Sequence, residues 1–184
     1  MKIEGGTGNG YAAKVTSENR LTVEAVTLTA EAHTNQMEGE AYHALFSEKA
    51  NNASSLLFFT KNTSESDMVI EGLHVYSDAA GKLTIKLNDT GTPSGTTTVL
   101  PTNCNAGSGN VADILAYSGT SILGLSGGVE VLNLRTSAAG KTEYYNFEVD
   151  MIVPKNKTFS IYSGVSAITY EVAVVLYFHS DTSV

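Results

Sequence analysis

From about Asp67 onward the chain repeats one device: a run in which apolar and polar residues alternate, then a cluster of Gly, Asn, Asp, Ser or Pro. Successive side chains of a strand point to opposite faces, so each run writes one buried face and one wet face. Repeated this often, the device leads to a sandwich or a barrel. The clearest run sets Tyr145, Phe147, Val149, Met151 and Val153 on one face and Asn146, Glu148 and Asp150 on the other, closed by Pro154. Val149 is therefore expected inside and Asp150 outside. Ile168, Tyr170, Val172, Val174, Leu176 and Phe178 form a second face, and Leu83, Ile85 and Leu87 a third, after the turn at 77–81.

Further strands are predicted at 55–61, 68–76, 129–135 and 158–162. With 97–100 and 21–30 the count approaches the eight of a jelly roll. An immunoglobulin-like sandwich would have to form without Trp and with a single Cys. One stretch breaks the pattern: Asn110 precedes Val111, Ile114 and Leu115 at helical spacing, with Asp113 in a capping position, which predicts a short helix over 111–117. The expected fold is an all-β, antiparallel jelly-roll-like sandwich over 41–184, with one short helix and an extended N-terminal arm over 1–40.

The arm reading rests on energetics. Residues 1–40 hold a glycine cluster and few large apolar side chains, among them Tyr11, Val15, Leu21, Val23, Val26 and Leu28. Fixing the backbone costs roughly 1 kcal/mol or more per residue, while burying a large apolar side chain returns roughly 2 kcal/mol. Side-chain burial on the chain's own core cannot order such a segment, so these six residues are expected to meet a partner.

Composition narrows the function classes. Eleven Lys and Arg against nineteen Asp and Glu give a net charge of −8, which repels nucleic acid and anionic membranes. Cys104 has no internal disulfide partner, as suits assembly in a reducing cytoplasm. The start of the chain lacks a basic-then-apolar leader, and the apolar stretch 168–178 is too short to span a membrane and contains Glu171. A soluble protein is expected.

Motifs that carry chemistry are weak. Gly124-Leu125-Ser126-Gly127-Gly128 matches the G-x-S-x-G pattern, with Asp150 and His179 following in hydrolase order, but a strand rather than a helix is predicted after the serine. Gly107-Ser108-Gly109-Asn110 resembles a dinucleotide fingerprint without the preceding buried strand. His33, His43, His74 and His179 lack the spacing of a zinc site, and no calcium-loop pattern occurs. No catalytic residue, cofactor or metal is therefore assigned, and the protein is expected not to be an enzyme. Tyr145 and Tyr170 sit in phase with core positions, which leaves Tyr11, Tyr42, Tyr117, Tyr144 and Tyr177 as the candidate surface aromatics.

Gly8-Asn9-Gly10-Tyr11-Ala12-Ala13-Lys14-Val15 and then Glu18-Asn19-Arg20-Leu21-Thr22-Val23-Glu24-Ala25-Val26-Thr27 resemble the N-terminal segment of a family of tailed-phage virion structural proteins. The stretches 55–62 and 152–159 are similar in position and character. The resemblance implies a head auxiliary, or decoration and cement, protein with a jelly-roll body, often a homotrimer. It also implies a place on the capsid exterior after assembly in the host cytoplasm. Its implied partners are the major capsid protein and copies of itself, with arms reaching across neighbouring subunits. The alternative is a neck, tail or head-fibre component with a carbohydrate- or receptor-binding sandwich.

Overall fold

A computed structural model describes residues 30–137 and 140–179. Helix α1 (Ala30–Met37) opens the described chain, and thirteen strands follow. They are β1 (Ala41–Lys49), β2 (Leu56–Asn62), β3 (Asp67–Ser77), β4 (Gly81–Leu87), β5 (Thr90–Ser94), β6 (Thr97–Thr98), β7 (Thr102–Asn103), β8 (Ile114–Ser118), β9 (Leu123–Ser126), β10 (Val129–Thr136), β11 (Thr142–Val153), β12 (Thr158–Ser163) and β13 (Thr169–His179). The first sheet has the order β11-β3-β13-β1-β7 and the second β10-β4-β12-β2-β8-β6, while β5 and β9 pair as a separate two-stranded ribbon.

Without β5 to β9, the remaining eight strands alternate between the two sheets except at the step from β4 to β10, and every pairing is antiparallel. That is the jelly-roll wiring expected from the strand count. The alternating faces meet between the sheets: Tyr170, Val172, Val174, Leu176 and Phe178 of β13 pack with Leu83 and Ile85 of β4 in one core. Phe46 of β1 stacks on Phe58 of β2 at 5.0 Å across the sandwich, and Tyr42 meets Phe178 edge-on at 5.9 Å. Aromatic pairs in these geometries add to the stabilisation from burial alone.

Two expectations fail for identifiable reasons. Val149 is 83% exposed, not buried. Between Asn146 and Met151 strand β11 advances five residues while β3 moves only from Gly72 to Ile70, and this bulge breaks the period of two. Phe147 still turns inward, whereas Val149 is thrown out. The predicted helix over 111–117 is instead an irregular link followed by β8, which pairs with the edge of β2. Asp113 caps nothing helical: its carboxylate and carbonyl accept hydrogen bonds from the Thr63 hydroxyl at 2.6 and 2.8 Å. The hydrogen bonds offered by the β2 edge outweigh a one-turn helix, which would have little cooperativity.

The six arm residues Tyr11, Val15, Leu21, Val23, Val26 and Leu28 lie outside the described residues. Where the sequence reading extends the arm to residue 40, the described chain is helix α1 and a short link, packed against β13 and β1. Past the last helical residue, Met37, Gly39 has a φ of +64° that suits the left-handed position after a helix, and the Glu38 and Gly39 N–H groups both donate to the Thr34 carbonyl. Loop 103–110 then clamps the link: Asn103 and Ser108 donate to the Gly39 carbonyl, and Asn110 to Glu38 and Glu40.

Candidate interaction surfaces

The outward faces of the two sheets differ in what lies over them. On the second sheet Leu56 and Phe59 point away from the core yet are buried, because the insertion between β4 and β10 folds back over them. Ile122 joins them, and Leu125, Tyr117 and Tyr162 pack around the cluster. Asp89 fastens this cover. Its buried carboxylate accepts the Gly128 N–H and the Tyr162 hydroxyl, each at 3.0 Å. The Lys86 ammonium sits 4.5 Å from the centre of the Tyr162 ring. Burial, reinforced by the Asp89 carboxylate, pushes the Tyr162 phenol well above its usual range.

On the first sheet a shallow concavity of about 500 Å³ stays open. Register explains its shape. Leu45, Ala173, His74 and Tyr144 form one row across β1, β13, β3 and β11, and Ser47, Glu171, Tyr76 and Thr142 form the next. Ala173 contributes only a methyl group between Leu45 and His74, so the middle of the row sinks. Tyr144 stacks on His74 with ring centres 4.4 Å apart. It passes over Gly72, where a Cβ would come within 3.1 Å of the ring and 2.5 Å of the Tyr145 carbonyl oxygen. The His43 ring lies 6.4 Å from that of His74, so strand pairing brings together two histidines that are far apart in sequence.

A third surface runs along the open side where β10 and β11 are the terminal strands of their sheets. The Tyr145 hydroxyl donates to the Arg135 carbonyl at 2.6 Å and ties the two edges together. Val131 and Val149 each lie four residues from that tie, both within bulges, and both are exposed. Val129 and Ile152, on the same two strands, are exposed at 62% and 57%.

The serine motif is not assembled as a hydrolase site. Ser126 lies on the β5–β9 ribbon, over the outward face of the second sheet, whereas the Asp150 carboxylate accepts a hydrogen bond from Tyr177 on the outward face of the first. The Gly107–Asn110 stretch belongs to the loop that clamps the α1–β1 link, and no helix follows it. Among the described residues no group of three His, Cys, Asp or Glu side chains is placed to hold a metal ion.

Of the candidate surface tyrosines, Tyr11 lies outside the described residues, Tyr42 and Tyr177 are buried, and Tyr117 is half-buried against the cover. Tyr144 is exposed, and Tyr76 beside the concavity was missed. No signal within a single strand marks this surface; the small residues Gly72 and Ala173 at outward positions are the trace it leaves in the sequence. No known protein family, no curated protein and no solved structure matches the chain.

Proposed function

We propose that the protein is a non-enzymatic structural subunit that decorates and stabilises the capsid shell of a tailed bacteriophage, packing against copies of itself and the major capsid protein. The observation that carries the packing role is the apolar seam at the β10 and β11 edges. Exposed apolar residues scattered singly are ordinary on any surface, but Val129, Val131, Val149 and Ile152 all fall on the two terminal strands of one open side. Bulges in both strands spoil the edge for simple strand addition, so the contact is made by side chains, chiefly Val131 and Val149. The resemblance of residues 8–27 to phage virion proteins supplies the shell as the larger partner, and a jelly-roll body suits such a role.

The test uses the full-length protein and the double variant Val131→Asp, Val149→Asp. Light scattering after gel filtration is expected to give a trimer for the wild type and a monomer for the variant, with both equally folded by circular dichroism. Purified shells lacking the protein should bind the wild type and retain far less of the variant. A wild type that stays monomeric at high micromolar concentration and ignores the shells overturns the reading.

A further inference from the structure

We propose that the concavity on the outward face of the first sheet is a binding site for a neutral glycan. The lining has the two components that sugar recognition needs. The rings of Tyr76 and His74, the latter backed by Tyr144, offer apolar surface to the C–H face of a pyranose, with the methyl of Ala173 as floor. Around them the Ser47 and Thr142 hydroxyls and the Glu171 carboxylate supply hydrogen-bonding groups for sugar hydroxyls. The volume of about 500 Å³ falls within the span of small-ligand clefts, roughly 300–1,000 Å³.

Other ligand classes fit less well. β13 and β3, beneath the middle of the concavity, are each paired on both sides, so a peptide strand could not add to the sheet there. Among the described residues Glu171 is the one carboxylate in the lining, and the chain carries a net charge of −8, so an acidic sugar or phosphate would be repelled. The aromatic wall is also set in advance. The His74 ring is held against Tyr144, which itself rests over Gly72, so it loses little side-chain freedom on binding. The site is separate from the valine seam, and the inference holds whichever shell, neck or tail position the protein takes.

The experiment titrates neutral oligosaccharides of glucose, galactose, mannose and N-acetylglucosamine, with sialyllactose as the anionic control, into isotope-labelled full-length protein. At least one neutral probe is expected to bind at micromolar to millimolar concentration and to shift the amides of Leu45, His74, Thr142 and Ala173, while sialyllactose does not. Glu171→Gln and Tyr76→Ala should each weaken that binding about tenfold or more, and Ala173→Leu should abolish it by filling the floor. Melting temperatures of the variants close to wild type show that the fold is intact. Absence of binding by every neutral probe at millimolar concentration overturns the proposal. So does binding that survives all three substitutions, or a concentration-dependent self-association that Ala173→Leu abolishes, which would make a second copy the occupant. Shell attachment is measured separately, so failure of the decoration role leaves this result readable.

Discussion

The two outward faces of the sandwich carry opposite kinds of residue. Where the insertion between β4 and β10 lies over the second sheet, the outward positions hold Leu56 and Phe59, and the cover is fastened by a buried carboxylate. Around the concavity of the first sheet the outward positions hold Leu45, Ala173, Gly72 and a fringe of hydroxyl, histidine and tyrosine side chains. Strand alternation decides only which residues point outward. Whether an outward position is large and apolar or small and polar depends on what is built over it. The part of a face that the chain leaves uncovered, yet shapes with small residues beside stacked rings, is therefore the more informative about function.

Truncation gives the largest test of that contrast. Phe59→Ala on the covered face should cost about 3–5 kcal/mol, the range for emptying a buried aromatic site, and lower the melting temperature by roughly 10 °C or more. Leu45→Ala, at a site 58% exposed, should stay within about 0.5 kcal/mol. Equal losses in calorimetry would mean that the cover does not pack as described.

Asp89→Ala comes next. It leaves the Gly128 N–H and the Tyr162 hydroxyl without their buried acceptor, at an expected cost of about 1–3 kcal/mol. Glu171→Gln on the open face should change stability by less than about 0.5 kcal/mol. Chemical denaturation of the two variants side by side separates the cases.

Alkaline pH probes the same cover more gently. The folded Tyr162 phenol is held above its unfolded value by burial and by Asp89. A group raised on folding contributes stability that is fully present below the unfolded pKa and is lost as pH rises beyond it, which for tyrosine begins near about 10. Tyr42, pushed up to about 12 by burial and by Glu40, acts in the same direction. Wild-type stability should therefore decline above about pH 10, and Tyr162→Phe should make that decline shallower without removing it. An identical pH profile for the two proteins would detach Tyr162 from the cover.

The jelly-roll body was legible because β13 and β4 keep their apolar alternation throughout. Tyr170 to Phe178 and Leu83 to Ile85 fall on the faces that alternation assigns them. Strand β1 was missed: in Ala41-Tyr42-His43-Ala44-Leu45-Phe46 apolar residues occupy both faces, and Leu45 borders the concavity. Tyr177 looks like a surface residue by phase and Tyr42 lies in no predicted strand, yet Tyr42 packs edge-on against Phe178 in the core and Tyr177 is buried with Ala41 and Val69 in a small outward cluster. The concavity was illegible for a different reason. Its residues come from β1, β3, β11 and β13 and meet only through register, which the local pattern does not encode.

The smallest expected effects lie at the β11 bulge, where they invert what alternation implies. By phase, Val149→Asp should wreck the fold and Asp150→Ala should be silent. With Val149 83% exposed, an aspartate there enters water, and monomer stability should shift by less than about 0.5 kcal/mol. Asp150 instead accepts the Tyr177 hydroxyl at 3.1 Å, so Asp150→Ala should cost about 0.5–1.5 kcal/mol. Val153→Asp, two turns of the alternation further along and fully buried, supplies the contrast and should be severe. The measurement belongs at low protein concentration, because Val149 is also part of the seam through which copies are proposed to meet, and dissociation would otherwise be counted as unfolding. Severe monomer destabilisation by Val149→Asp would mean that β11 runs unbulged with its valine inside. The seam would then lose its most exposed residue.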